Sequence, residues 1–324
     1  MIQLLRKICM ARRNFLAGFI ILAVSAVAAI AQPPVESKQP ARTMTVPISI
    51  FTKKELKDKQ AEEFVQADRL MVNEDGDDQT ILSIKSVSDS PLSIAILIQA
   101  DLSSGFNLQL EDIKRFIRDL PPGTRVMVAY LRSGSPDIRQ KFTDDRELAI
   151  NSLRIVSGSS TDAPRSPYSG IVDIIGRFDA TPTGRRAILL FSDGLDTSTG
   201  LSLASITQSP DLDQAILKSQ RKSVAVYSFY YPTQLTERLN SIIAVGAQGA
   251  LEKLSNETGG RSFVQGIGAP VSFSPFFGEM TMSLNRQFSL TYLSTHMKKG
   301  YHKLKITSTN PDVKIVHPSG YYYR

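Results

Sequence analysis

The chain has 324 residues, 42% of them hydrophobic, with one cysteine, no tryptophan and a formal net charge of +7. That length supports a sizeable core without disulfides. The first 31 residues carry four cations and no acid, so beyond them the charge falls from +7 to +3; with no basic stripe and interleaved aromatics, the composition argues against a nucleic-acid partner. Arg6, Lys7, Arg12 and Arg13 form a basic head, Phe15 to Ala29 is uncharged and apolar, and Ala29-Ile30-Ala31 is a small-x-small site. This is the layout of a secretory signal peptide over residues 1–31. Arg12-Arg13-Asn14-Phe15-Leu16 also looks like a twin-arginine export motif. An uncleaved anchor is the alternative, though the run is shorter than the ~20 residues that span a bilayer. The expectation is an exported protein with no membrane span in its mature chain. Cys9 would leave with the signal, and with it any thiol chemistry.

Residues 32–44 are rich in Pro, Gln and Lys and read as a flexible leader. Residues 45–90 read as a β segment. Thr45 to Phe51 alternates, with Pro47 marking an edge position. Lys53 to Gln66 is a loop or short helix, and Leu70-Met71-Val72 is a short strand. Glu74-Asp75-Gly76-Asp77-Asp78 is a turn, because Asp-Gly supplies positive φ, and Thr80 to Val87 returns as a strand.

From Pro91 the pattern changes. Leu92 to Ala100 is almost continuously apolar, as in a strand buried on both faces of a parallel sheet. Leu110, Ile113, Phe116, Ile117 and Leu120 succeed it at helical spacing and Pro121-Pro122-Gly123 stops that helix. Strands are expected over 126–131, 138–143, 187–191, 224–230 and 261–264. Helices are expected from Asp145 as cap through Leu153, and over 171–178, 212–219, 242–258 and 277–285. This alternation predicts an α/β unit over 91–286, a doubly wound, mostly parallel sheet with helices on both faces. Residues 287–324 revert to β, with strands over 288–292, 302–306 and 313–316. They are expected to pack with 45–90 as one small β-sandwich-like domain.

Open α/β sheets bind ligands at the carboxyl ends of their strands. The first apolar strand is followed by Asp101-Leu102-Ser103-Ser104-Gly105, and the strand over 187–191 by Ser192-Asp193-Gly194-Leu195-Asp196. Between them a polar loop, 157–169, holds Thr161, Asp162 and Ser166. Singly, Asp101 and Asp193 also read as helix N-caps, which need no metal.

A strand ending in Asp-x-Ser-x-Ser, a middle-loop threonine and a later Asp-Gly resembles the metal-ion-dependent adhesion site of von Willebrand A domains. The resemblance implies a Rossmann-like fold and a site holding Mg2+ or Mn2+ through Asp101, Ser103, Asp193 and Ser166, with Thr161 as the rival to Ser166. Asp196 would stand behind the ligands. Magnesium wants about six oxygens, and hydroxyl ligands leave it under-neutralised, so a protein partner's carboxylate would complete the shell. Gly105 departs from the pattern, standing where a second ligand serine is expected, and the site reads as partly degenerate. The flanks narrow the likeness to von Willebrand A-related proteins common in Acidobacteria. Asp68 to Gly76 with Gln79-Thr80-Ile81, Leu251 to Arg261, Phe288 to Tyr292, Tyr301 to Ile306 and Gly320-Tyr321-Tyr322 are similar to that family in order and spacing.

The resemblance implies an exported bacterial adhesion module that binds a protein and catalyses nothing. The alternatives are a metal-independent envelope assembly or structural protein and, last, a hydrolase. The residues for hydrolysis are missing: there is no Gly-x-Ser-x-Gly elbow and no phosphate loop. His296, His302 and His317 lack metal-ligand spacing, and alternation puts His302 on the solvent face of a strand. Gly246-Ala247-Gln248-Gly249 reads as a bend near a helix start. The aromatics Tyr227, Phe229, Tyr230 and Tyr231 read as core and rim.

Overall fold

A computed structural model describes residues 41–52, 70–86, 90–133, 136–198, 200–202, 208–239 and 241–323. The expected signal peptide (1–31), the leader up to residue 40 and the loop or short helix over 53–66 lie outside them.

The apolar runs build a six-stranded sheet. Its strands are β4 (Leu92–Gln99), β5 (Arg125–Leu131), β6 (Asp137–Thr143), β7 (Arg185–Ser192), β8 (Val224–Tyr230) and β9 (Ser262–Phe263), in the order β6-β5-β4-β7-β8-β9. All pairings are parallel except that of the edge strand β6. Counted within this unit the order is 3-2-1-4-5-6, that of a doubly wound sheet. All eight residues of β4 are buried, because successive side chains feed two cores. Ile94, Ile96 and Ile98 face one core with helices α1 (Leu110–Asp119), α2 (Arg146–Asn151) and α7 (Ser274–Asn285). Ala95 and Leu97 face the other, with α3 (Pro167–Ile175), α4 (Pro210–Arg221) and α6 (Ser241–Thr258). Asp145 caps α2 by accepting from the Leu148 amide, as its sequence position implied.

The flanks join in one seven-stranded antiparallel sheet. It comprises β1 (Arg42–Thr52), β2 (Leu70–Glu74), β3 (Asp77–Ser86), β10 (Gln287–Ser294), β11 (Gly300–Ser308), β12 (Val313–Val316) and β13 (Gly320–Tyr323). The order is β12-β1-β10-β3-β2-β11-β13, so N- and C-terminal strands interleave. Ile48, Ile50, Val72, Leu290, Tyr292, Leu304 and Ile306 share its core. The sheet curls until β11 and β12 approach one another, and the Ile306 amide donates to His317 Nε2 at 3.1 Å. The sandwich-like packing thus comes from a single curled sheet. At Pro47, β1 pairs only with β10, since β12 meets it at Ser49–Thr52; the missing amide costs no ladder bond there.

Several local expectations are corrected. β1 starts at Arg42, inside the expected leader, because residues 42–44 find partners on β10. α3 starts four residues before Ile171, with Pro167 in its first turn, where a fixed φ is already helical. Gly246 to Gly249 lie within α6 and not at a bend. A five-residue helix, α5 (Gln234–Arg238), was not expected; it depends on a capping box between Thr233 and Thr236. His302 is buried, 4% exposed, and not on a solvent face. The aromatics at the end of β8, by contrast, are buried as their reading as core and rim expects, with Phe229 stacked on Phe191 and Phe263.

Candidate functional site

The ends of β4 and β7 are adjacent in the sheet, and one side chain ties them together. Gln99 is buried; its Oε1 accepts from the Ser192 hydroxyl and from the Asp193 amide at 3.3 Å, while its Nε2 donates to Asp101 Oδ1 at 2.9 Å. Asp193 is 2% exposed. Its Oδ1 accepts from the Leu195 amide at 3.0 Å and its Oδ2 from the Thr233 hydroxyl at 2.8 Å. The loop before α5 is therefore held to the same place, and a bridge between Leu102 and Thr233 closes it from the other side. Neither carboxylate caps an α-helix.

Burial raises the pKa of Asp101, and the charge of Asp162 adds to the effect. Burial likewise pushes Asp193 up to about 6, with Asp101 contributing further. The groups that relieve the two carboxylates are neutral donors, Gln99, Thr233 and backbone amides, while Asp162 and Asp101 add negative charge. Among the described residues no cationic side chain pairs with either, so two desolvated carboxylates are left with their charge unbalanced.

The hydroxyls divide. Ser103 donates to Glu237 Oε1 at 3.0 Å, and buried Ser166 donates to Asp196 Oδ2 at 3.2 Å. A hydroxyl that gives its proton to a carboxylate keeps its oxygen lone pairs for another partner. Asp196 is fully buried and also accepts from Ser209 and from both the amide (2.9 Å) and hydroxyl (2.6 Å) of Ser198. It ties three loops together. Thr161 is exposed in a 3-10 turn and bonded to Ser159 Oγ at 2.8 Å, whereas its neighbour Asp162 is the residue whose charge reaches Asp101.

Gly105 is explained by its surroundings. A Cβ built there would lie 2.7 Å from Tyr231 Oη, so the tyrosine hydroxyl holds the space a second serine would need. Gln99, Thr233, Tyr231 and Glu237 are the site residues that sequence reasoning missed. Only the polar Gln99 at the end of an apolar strand offered a signal. A separate group, Asp75, His296 and His302, brings its ligand atoms within 4.8 Å of one another in the antiparallel sheet. Their spacing along the chain carries no such signal; the fold brings them together.

No protein-family model and no curated protein sequence matches the chain. Among solved structures, a von Willebrand factor type A protein from Catenulispora acidiphila is similar at 12% identity and a TM-score of 0.43, covering 89% of this chain and 75% of its own. The conserved hypothetical protein BatB from Bacteroides thetaiotaomicron aligns at 12% identity and a TM-score of 0.42, over 60% of this chain and 98% of its own. The VWA domain of SpRpn10 aligns at 12% identity and 0.37, over 59% and 93%. Strand order and direction give the α/β unit its von Willebrand A-like fold, with the curled antiparallel sheet added to it.

Proposed function

We propose that this chain is an exported protein-binding module whose von Willebrand A-like unit holds Mg2+ or Mn2+ between Asp101 and Asp193. Ser103 and Ser166 would supply hydroxyl oxygens, and the carboxylate of a protein partner would complete the shell. The observation that carries this reading is the pair of buried carboxylates tied by Gln99 and, among the described residues, left without a cationic side chain. A hard divalent ion suits an all-oxygen set of this kind. The module performs no catalysis. The three histidines all lie beyond the α/β unit, so none is available there as a base. Export rests on the signal-like first 31 residues, and no helix among the described residues is long and apolar enough to cross a membrane.

The direct test is thermal. Millimolar Mg2+ or Mn2+ is expected to raise the melting temperature and chelator to reverse the rise, the stabilisation reaching ~2.7 kcal/mol at a hundredfold excess over Kd. Asp101→Ala should lose this response. A melting curve indifferent to metal and chelator would sink the metal part of the reading.

The Tyr231 hydroxyl beside Gly105 favours a second reading, a metal-free binding face. It makes its own prediction. Gly105→Ser alone should leave Mg2+ affinity no better than wild type, because the new Cβ meets Tyr231 Oη at 2.7 Å. Gly105→Ser with Tyr231→Phe frees that space, and titration calorimetry should show affinity about tenfold tighter, the equivalent of ~1.4 kcal/mol. No gain in the double variant would favour the metal-free face.

A further inference from the structure

We propose that Asp75, His296 and His302 form a second, separate site for a zinc-class divalent ion on the curled antiparallel sheet. Asp75 lies in the tight turn between β2 and β3, with φ of 53°. His302 lies on β11, which pairs with β2. His296 comes just after β10, which pairs with β3. Strand pairing thus gathers residues more than 200 positions apart in sequence, which is why their spacing along the chain gave no warning.

The donor pattern points to a cation. His302 Nε2 lies 2.7 Å from the Lys298 carbonyl oxygen and its Nδ1 lies 2.7 Å from Asp75 Oδ2. A carbonyl has no hydrogen, so Nε2 carries the N–H. The close contact between Nδ1 and the carboxylate then calls for a proton or a cation shared between them. A ring N–H donated to a carbonyl, which fixes the ring and leaves the other nitrogen free to bind, is the orientation metal-binding histidines adopt. Asp75 is itself fixed, its Oδ1 accepting from the Lys303 amide at 2.7 Å. His296 Nδ1 lies 3.9 Å from Asp75 Oδ2. His296 Nε2 is buried without a hydrogen bond, although Asp77 Oδ2 is 3.3 Å away. Tetrahedral zinc with ligands at ~2.0–2.1 Å separates them by roughly 3.3 Å. The observed separations, 2.7 Å and 3.9 Å from Asp75 and none above 4.8 Å, bracket that value.

Charge argues the same way. Glu74, fully buried beside the group, has His302 Nδ1 at 3.7 Å, and its Oε2 has no partner. Among the described residues no lysine or arginine pairs with Glu74, Asp75 or Asp77. Two imidazoles with a carboxylate select zinc-class ions over magnesium, so this site differs in kind from the one at the strand ends. Three protein ligands leave a coordination position open to water or to a donor from outside. A bound ion would pin the β2–β3 turn to the β10–β11 loop.

The test is titration of the chelator-stripped chain with Co2+, read by its visible d–d absorption and displaced by Zn2+. One equivalent is expected to give a tetrahedral spectrum. His296→Ala, at a half-buried loop position, should weaken binding by at least the ~10–100-fold that loss of an outer partner costs. Asp101→Ala should leave the spectrum intact, separating this site from the proposed adhesion site. No d–d spectrum at stoichiometric cobalt would overturn the proposal. So would a spectrum that survives in His296→Ala with unchanged affinity while circular dichroism shows the variant folded.

Discussion

Asp193→Asn should melt higher than the wild-type chain at pH 8 in chelator, and lose all response to Mg2+. The carboxyl ionises near 3.8 when unfolded but only near 6 in the folded chain, where burial and Asp101 oppose the charge. Between these values the native state binds more protons than the unfolded one, so stability falls as pH rises. The cost is absent below about pH 4, grows through pH 6 and is full above it. A shift of about two units corresponds to ~3 kcal/mol, as an order of magnitude. The amide removes that cost while keeping an oxygen for the Leu195 amide and a nitrogen that can donate to Thr233 Oγ1. At roughly 2 °C per kcal/mol for a chain of this size, differential scanning calorimetry should show a gain of about 6 °C at pH 8 that vanishes toward pH 4. In the wild type, protons compete with the metal, so Mg2+ affinity should decline as pH drops through 6. A variant less stable than wild type at pH 8 would mean that Asp193 is held by a cationic group, and would remove the case for a site.

The parts legible in the sequence are those in which a single element carries its own signal. Leu92 to Gln99 is apolar at every position but two and is buried on both faces. The stripe Leu110, Ile113, Phe116 and Ile117 is the buried side of α1. Asp101 and Asp193 could be found from strand ends, since parallel neighbours in the same sheet end side by side. The features that stayed hidden depend on pairing between distant segments. Alternation could say that the strand around His302 has two faces, but not which one the curl of the sheet would close. Thr233 reaches Asp193 only because β8 lies next to β7. Gly105 looked like a lost ligand, and its reason sits 126 residues away in Tyr231.

Gly194→Ala should be among the most damaging single substitutions in the chain, through packing more than through metal. Gly194 has φ of +73°, and a Cβ there would lie 2.5 Å from the Ala247 carbonyl oxygen and 2.6 Å from Leu251 Cγ, both on α6. Its own carbonyl is held by the buried Tyr168 hydroxyl at 2.8 Å, so the loop cannot swing away without breaking that bond. Left-handed backbone costs a non-glycine residue ~1–2 kcal/mol, and overpacking adds ~1–3 kcal/mol. Gly123 separates the two contributions. It has nearly the same φ, +77°, with nothing within 4 Å of its Cβ position, so Gly123→Ala should lose only the backbone part. Urea unfolding should place Gly194→Ala below Gly123→Ala by the overpacking contribution, and equal losses would refute the contact with α6. The outcome bears on how the Asp193-Gly194 pair is to be read. If the glycine is required by the seating of α6, its half of the motif persists whether or not a metal is bound. The weight of the metal reading then falls on Asp101, Asp193 and the charge they leave unbalanced.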